Sequence, residues 1–394
     1  MNDVRIGLEI LVERDPLNLH DARLGLLMNQ ASVATEFRYA CDVIDRAFPG
    51  QLKRLFSPQH GFWGEQQANM IESSDSIYPP LGLPVYSLYS ETRRPTREML
   101  NGLDVLLVDL QDVGTRVYTF VWTLLECLKA CSECGVKVVV LDRPNPLGGL
   151  IYEGPLIAPG FESFVGNSAI PMRHGLTLGE LALFLNAEHQ LHADVHVISM
   201  DGWRRGMLWN HTRRNWVLPS PNMPTPATSY VYPGQVMLEG TNLSEGRGTT
   251  RPFEFCGAPW IDPFALTRRL EMCHLPGLTL QPLRFRPTFD KWKGETCGGV
   301  AIHVTDRAAI RSFHFTVQLL EAVRQLNPGR LQWLDPPYEY EYHKPPIDIL
   351  YGSDRLRLAM SPPEPLDARE LDELCRLDAF AWQQQASKYC LYSE

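Results

Sequence analysis

The sequence predicts an α/β protein: a Rossmann-like, doubly wound parallel sheet followed by a smaller α+β domain. Three observations predict it. Across the first 150 residues, short Val-, Leu- and Ile-rich runs alternate with longer amphipathic ones, the pattern of a parallel sheet with crossover helices. The short runs are apolar almost without interruption, as strands covered on both faces must be. From about Phe253 the texture changes to a strand pair and amphipathic helices, which divides the chain into 1–255 and 256–394. The 394 residues suit two or three domains at roughly 150 residues each.

In order, RLGLLMN (23–29), LKRLFSP (52–58), LPVYSLY (83–89), DVLLVDLQD (104–112) and VKVVVLDRPN (136–145) read as buried strands, each stopped by a polar or turn-forming group. YACDVIDRAF (39–48) and VYTFVWTLLECLKACSEC (117–134) read as helices between them. TLGELALFLNAEH (177–189) is a further helix, with Thr177 and Glu180 spaced as a capping box. The strand DVHVISM (194–200) follows it. Trp203 to Pro252 is rich in Pro, Gly and Asn and reads as a long irregular segment, of the kind usually retained for function. In the second domain, 283–306 holds two strands, and 313–326 and 368–390 are amphipathic helices.

Composition excludes several function classes. With 37 Lys+Arg against 46 Asp+Glu the formal charge is −9, a poor field for nucleic acid, which needs a basic surface. No run approaches 18 apolar residues, so no membrane span is expected. The opening MNDVRIGLEILVERD has acids and an arginine inside its first apolar stretch, unlike a secretory signal, and a cytoplasmic location is expected. The nine cysteines are scattered. Cys127, Cys131 and Cys134 sit on a helix with no second ligand pair at zinc spacing, so they read as small buried side chains. His189, His192 and His196 straddle a helix end and a strand, and no metal is expected there. Neither G-x-G-x-x-G nor G-x-S-x-G is found.

Three polar segments end predicted strands, and ligands of open α/β sheets bind beyond those carboxyl ends. Ser57–Glu65 offers His60 and Glu65 as acid–base groups beside Phe62 and Trp63; an apolar neighbourhood raises a carboxyl towards the range of a general acid. Asp109–Tyr118 offers Asp109, Asp112, Arg116 and Tyr118, and Asp142–Pro146 offers Arg143 and Asn145. A guanidinium grips carboxylates with a planar fork, so each arginine is either a loop brace or a substrate contact. The densest constellation is Glu239–Arg251, with Glu239, Asn242, Glu245 and Arg247 among three glycines. Its glycine spacing misses the Walker pattern by one residue, and Arg follows where Lys belongs.

Taken in order, FSPQHGFWGE, LPVYSLY, DLQDVGTRVYTF, VVVLDRPNPLGG, IPMRHGLTLGELA, SPNMPTPATSYVYPG and EGTNLSEGRGTTRPFEFCGAPW resemble the exo-acting, NamZ-like β-N-acetylmuramidases, glycoside hydrolases long classed as a domain of unknown function. The resemblance covers most of the chain. It implies a catalytic cleft between a Rossmann-like domain and a smaller one, and release of N-acetylmuramic acid from the non-reducing end of peptidoglycan fragments in cell-wall recycling. No cofactor or metal is implied. The lactyl carboxylate of that sugar suits Arg116, Arg143 or Arg247. Gln59, Asp109, Asp112, Tyr118, Asn145, Asn222 and Asn242 are the further expected substrate contacts.

A glycosidase needs two carboxyl groups, one of them a raised-pKa acid. Glu65 is expected as the acid with His60 beside it, and Glu239 or Glu245 as the partner. Gln59 is a departure, since many members of the family read Pro-Glu-His-Gly where this chain reads Pro-Gln-His-Gly. An amide cannot donate an acidic proton, so a non-catalytic muropeptide-binding sensor, or a hydrolase of another sugar, is the rival expectation.

Overall fold

The computed structural model describes residues 3–68 and 70–394. Seven strands form the main sheet: β1 (Leu24–Met28), β2 (Leu52–Ser57), β3 (Ser76–Tyr78), β4 (Leu83–Ser87), β5 (Val105–Asp109), β6 (Lys137–Leu141) and β7 (Val195–Ile198). Their order is β3-β4-β2-β1-β5-β6-β7; β3 runs antiparallel at one edge and every other pairing is parallel. The chain starts in the middle and winds outward both ways, so the sheet is doubly wound as expected. Edge strand β3 was not legible: its three residues have two exposed side chains.

Period-two alternation puts successive side chains on opposite faces, and here both faces are core. Leu24, Leu26, Leu107 and Val139 pack with α1 (Gly7–Arg14) and α2 (Ala40–Ala47). Leu27, Leu106, Val108 and Val140 pack with α4 (Phe120–Cys134) and α5 (Leu178–Glu188). A short α3 (Arg97–Leu100) precedes β5. Cys127 and Cys131 are buried on α4 as small core groups. The Thr177–Glu180 capping box forms, and Asp142 at the end of β6 locks it by accepting from Thr177 Oγ1 at 2.7 Å and the Gly179 amide at 2.8 Å.

The second sheet is β8 (Phe255–Ala258), β9 (Leu278–Phe285) and β10 (Cys297–Val304), antiparallel in the order β8-β10-β9. On it pack α6 (Pro226–Gln235) and α7 (Pro263–Glu271), with α8 (Ser312–Leu326) against both of those helices. Next come α9 (Pro346–Tyr351), α10 (Arg355–Ala359) and α11 (Ala368–Leu374), and α12 (Ala379–Ser387) returns to the first sheet's α5, where Trp382 packs edge-on against Phe184. Two expectations are corrected. The segment 203–252 is not irregular throughout, because Thr225 caps α6 through the Thr228 amide with Pro226 in the first turn. The run 368–390 is two helices, broken where Asp378 caps α12.

Candidate active site

Beyond the carboxyl ends of the strands, a polar crevice collects residues from five stretches of chain. Gln59 and His60 follow β2; Tyr118 and Thr119 lead into α4; Asn222 precedes α6. Glu239 and Arg247 flank the glycine-rich stretch, and Tyr338 and Glu339 come from a turn far along the chain. Tyr232 and Phe253 supply an apolar wall, their rings 4.8 Å apart and nearly perpendicular. The free space is narrow, about 30 Å³. A roomier cavity of about 280 Å³ opens near Arg143 and Arg213, but among the predicted site residues only Arg143 lines it.

Arg247 organises the crevice. Its Nη2 donates to Glu239 Oε1 at 2.6 Å, and its Nε lies 3.2 Å from Glu245 Oε1. Burial works against the cation, yet Glu239 and Glu245 outweigh it and hold the guanidinium above its ordinary value. Nη1 is buried without a hydrogen-bond partner among the described residues. Glu245 stands behind the crevice rather than in it. Burial alone would push its carboxyl up, but Lys291, 2.8 Å away, and Arg247 bring it below the usual carboxylate range. Glu239 Oε2 also accepts the Tyr338 hydroxyl at 2.6 Å.

His60 sits at φ 73°, in the left-handed region, which turns its ring into the crevice. Its Nδ1 lies 2.7 Å from the Gln66 carbonyl. A carbonyl only accepts, so Nδ1 carries the proton and Nε2 keeps a lone pair. Burial, opposed by the Gln66 hydrogen bond and aided by Arg247, lowers His60 to about 4. The ring is therefore a neutral acceptor at ordinary pH.

Glu339 was missed by sequence reasoning. It is 3% exposed, and Tyr89 donates its hydroxyl to Oε2 at 2.7 Å while Gln59 Nε2 donates to Oε1 at 3.1 Å. Thr119 donates to Gln59 Oε1 at 2.7 Å, which fixes the amide with its nitrogen towards Glu339. Tyr338 and Glu341 exchange both backbone hydrogen bonds at 2.9 Å, and between them Glu339 (φ 43°) and Tyr340 (φ 67°) both take positive φ. Hairpin turns of that shape favour Asn-Gly; non-glycine residues in them store about 1 kcal/mol or more each. The Arg93 guanidinium stacks 3.1 Å over Tyr340 and clamps the turn.

The structure brings Gln59, His60, Tyr118, Asn222, Glu239 and Arg247 together and leaves the other predicted residues elsewhere. Glu65 is exposed and lies against Gly61. The aromatic shelter expected for it is absent, because Trp63 packs on Tyr39, Phe62 and Tyr78 instead. Asp109 and Arg143 form a buried fork, Nε–Oδ1 2.5 Å and Nη2–Oδ2 2.8 Å, which braces two strand ends. Asp112 accepts the Gly114 amide at 2.7 Å. Asn145 ties Leu147 and Leu176, and Asn242 ties Arg330 and Gln332. Arg116 is fully buried and gives Nη1 to the carbonyls of Pro155 and Ile170, and Nη2 to those of Leu350 and Tyr351. It has no fork left for a substrate carboxylate. The Glu65→Gln variant is accordingly expected to lose far less than the ~100-fold that removal of an acid catalyst costs at the least; a 100-fold loss in steady-state rate would return Glu65 to the mechanism.

Among the described residues no helix is long and apolar enough to cross a membrane. Family models for exo-β-N-acetylmuramidase NamZ match the chain twice, the N-terminal one over residues 24–227 and the C-terminal one over 230–392. The peptidoglycan β-N-acetylmuramidase NamZ of Bacillus subtilis (strain 168) is 43% identical over 331 residues, which is 84% of this chain and 80% of that protein. Crystal structures of two DUF1343 family proteins from Bacteroides fragilis NCTC 9343 are similar. One has a TM-score of 0.88 at 32% identity with 99% of each chain covered, and the other 0.76 at 28% with 100% of each covered.

Proposed function

The chain belongs to the exo-β-N-acetylmuramidase NamZ family, and from that membership we propose how its crevice works as a glycosidase that releases N-acetylmuramic acid from peptidoglycan fragments. The reading of the crevice rests on one observation: the buried Arg247, already paired with Glu239 and Glu245, keeps an Nη1 without a partner among the described residues, beside Asn222, neutral His60 and an apolar wall. That set suits a sugar bearing one carboxylate. Nη1 of Arg247 takes the lactyl carboxylate, in a site where water competes little for the charge. Tyr232 and Phe253 pack against the ring's apolar face, while Asn222 and His60 Nε2 take its polar substituents. Glu239 is the ionic partner that holds Arg247 in place and lies beside the reacting carbon. Residues 256–394 complete the cleft by supplying Tyr338 and the turn that follows it. The nine cysteines are free thiols, as a reducing compartment favours, and we place the reaction in the cytoplasm, on fragments recovered from the wall.

Incubation with a disaccharide whose non-reducing sugar is β-linked N-acetylmuramic acid is expected to release that sugar. Tight binding without release would turn the assignment to a sensor, and release from an N-acetylglucosaminide alone would turn it to another sugar.

Neutral His60 also fixes a pH dependence. Its folded value of about 4 lies below the ordinary 6.5, so the unfolded chain binds the extra proton between the two. Stability contributed by the buried neutral ring is full above about pH 6.5 and is lost as the pH falls towards 4. The rate constant kcat/KM is expected to hold through that window and fall near pH 4, where the Nε2 acceptor disappears. In His60→Gln, whose amide accepts without titrating, this acid limb should vanish; its persistence in a pH–rate profile would remove His60 from substrate recognition.

A further inference from the structure

The proposed glycosidase reading, on which this inference depends, leaves open which group delivers a proton to the departing sugar. Two carboxyl groups line the crevice among the described residues, Glu239 and Glu339, and their partners differ in kind. Glu239 is held by a cation, Arg247, with a tyrosine hydroxyl on its other oxygen. Glu339 is held by two neutral donors, the Gln59 amide and the Tyr89 hydroxyl. Among the described residues no cation is hydrogen-bonded to it, and the charge of Arg247, which would favour its ionised form, is opposed by that of Glu239. A carboxyl stripped of water and held only by neutral donors keeps its proton more readily.

We propose that Glu339, carried into the crevice on the 338–341 turn, is the catalytic acid that protonates the glycosidic oxygen. Its surroundings agree with that role. Burial is the largest influence on its carboxyl and pushes it up, against the hydrogen bonds from Tyr89 and Gln59. The turn is held in a backbone conformation that glutamate and tyrosine seldom adopt, and the stack of Arg93 on Tyr340 keeps it there. Strain of this kind survives only where the surroundings over-determine it, and it collects at active sites. Gln59 acts as a positioning residue, because its amide is oriented by Thr119 and fixes one Glu339 oxygen without charging it.

In the step itself, the Glu339 O–H gives its proton to the bridging oxygen as the C1–O bond breaks, and the leaving sugar departs as an alcohol. A water molecule then places its hydroxyl on C1, and its remaining proton returns to the Glu339 carboxylate. The sum is hydrolysis, with the enzyme restored.

The test compares two N-acetylmuramic acid β-glycosides, the natural disaccharide and the 4-nitrophenyl compound, whose leaving group departs without a proton. Glu339→Gln is expected to lose at least ~100-fold in kcat on the disaccharide, the lower range for losing acid catalysis, and less than ~10-fold on the nitrophenyl glycoside. The alkaline limb of its pH–rate profile should disappear. Retained nitrophenyl hydrolysis also shows that the variant is folded. The double variant Gln59→Glu with Glu339→Gln moves the carboxyl across one 3.1 Å hydrogen bond, and at least ~10-fold of the lost disaccharide activity is expected back. Equal losses on both substrates, or an unchanged alkaline limb, would assign Glu339 a structural role and overturn the proposal. If the unaltered chain cleaves neither compound, the glycosidase reading falls, and this assignment with it.

Discussion

Arg247→Lys is expected to weaken the inhibitory binding of free N-acetylmuramic acid by about 10- to 100-fold, while the weak binding of N-acetylglucosamine stays within about twofold. The two sugars differ by the lactyl carboxylate, so the difference isolates the contact assigned to Nη1. A hydrogen bond to a charged group is worth about 1.5–3 kcal/mol. Lysine keeps a positive charge between Glu239 and Glu245 but lacks the planar fork that lets arginine hold both and a third carboxylate. Arg247→Ala is a different experiment. It takes the guanidinium away from the buried Glu239 and Glu245, leaving Lys291 on Glu245, and removing one partner of a buried ion pair costs about 3–5 kcal/mol, so that variant should fail to accumulate as folded protein. Equal weakening of both sugars in Arg247→Lys would mean that the guanidinium shapes the crevice without reading the carboxylate.

The second large effect is on stability. Arg116→Leu is expected to cost about 4 kcal/mol or more, because the carbonyls of Pro155, Ile170, Leu350 and Tyr351 lose their donors together. Each buried group left unpaired costs about 1–3 kcal/mol. Urea unfolding should show a lower midpoint with the slope unchanged, and whatever fraction remains folded should keep an ordinary KM. A normal midpoint with a raised KM would restore Arg116 to the substrate contacts expected from the sequence.

The spacing of Arg116 suggests a rim residue, whereas its backbone carries it into the interior. Asp112 and Arg116 are spaced one helical turn apart, but α4 begins only at Phe120. The stretch before it is an extended turn that points the guanidinium inward. Glu65 misled for a related reason: neighbours in sequence are not neighbours in space, and the two aromatics beside it pack elsewhere. What could be read was local. Apolar runs gave five of the seven main strands and punctuation gave their ends. The Thr177–Glu180 spacing gave a helix start, and of the polar strand-end residues Gln59, His60 and Tyr118 reach the crevice. DVHVISM added β7, whereas β3 is too short and too exposed to carry a pattern. Glu339 left no local trace. Tyr-Glu-Tyr is poor turn chemistry, the hairpin exists because Arg93 and the crevice hold it, and the burial that sets the carboxyl apart is created by residues hundreds of positions away.

Gln59 and Glu339 lie 280 residues apart in sequence, yet a single contact joins them at the heart of the crevice. A ribosome must therefore deliver almost the whole polypeptide before these two side chains can meet, and a copy cut short of the turn lacks the carboxyl proposed as the acid. Chain order thus makes the crevice a late product of synthesis, completed only when the 338–341 turn has been made.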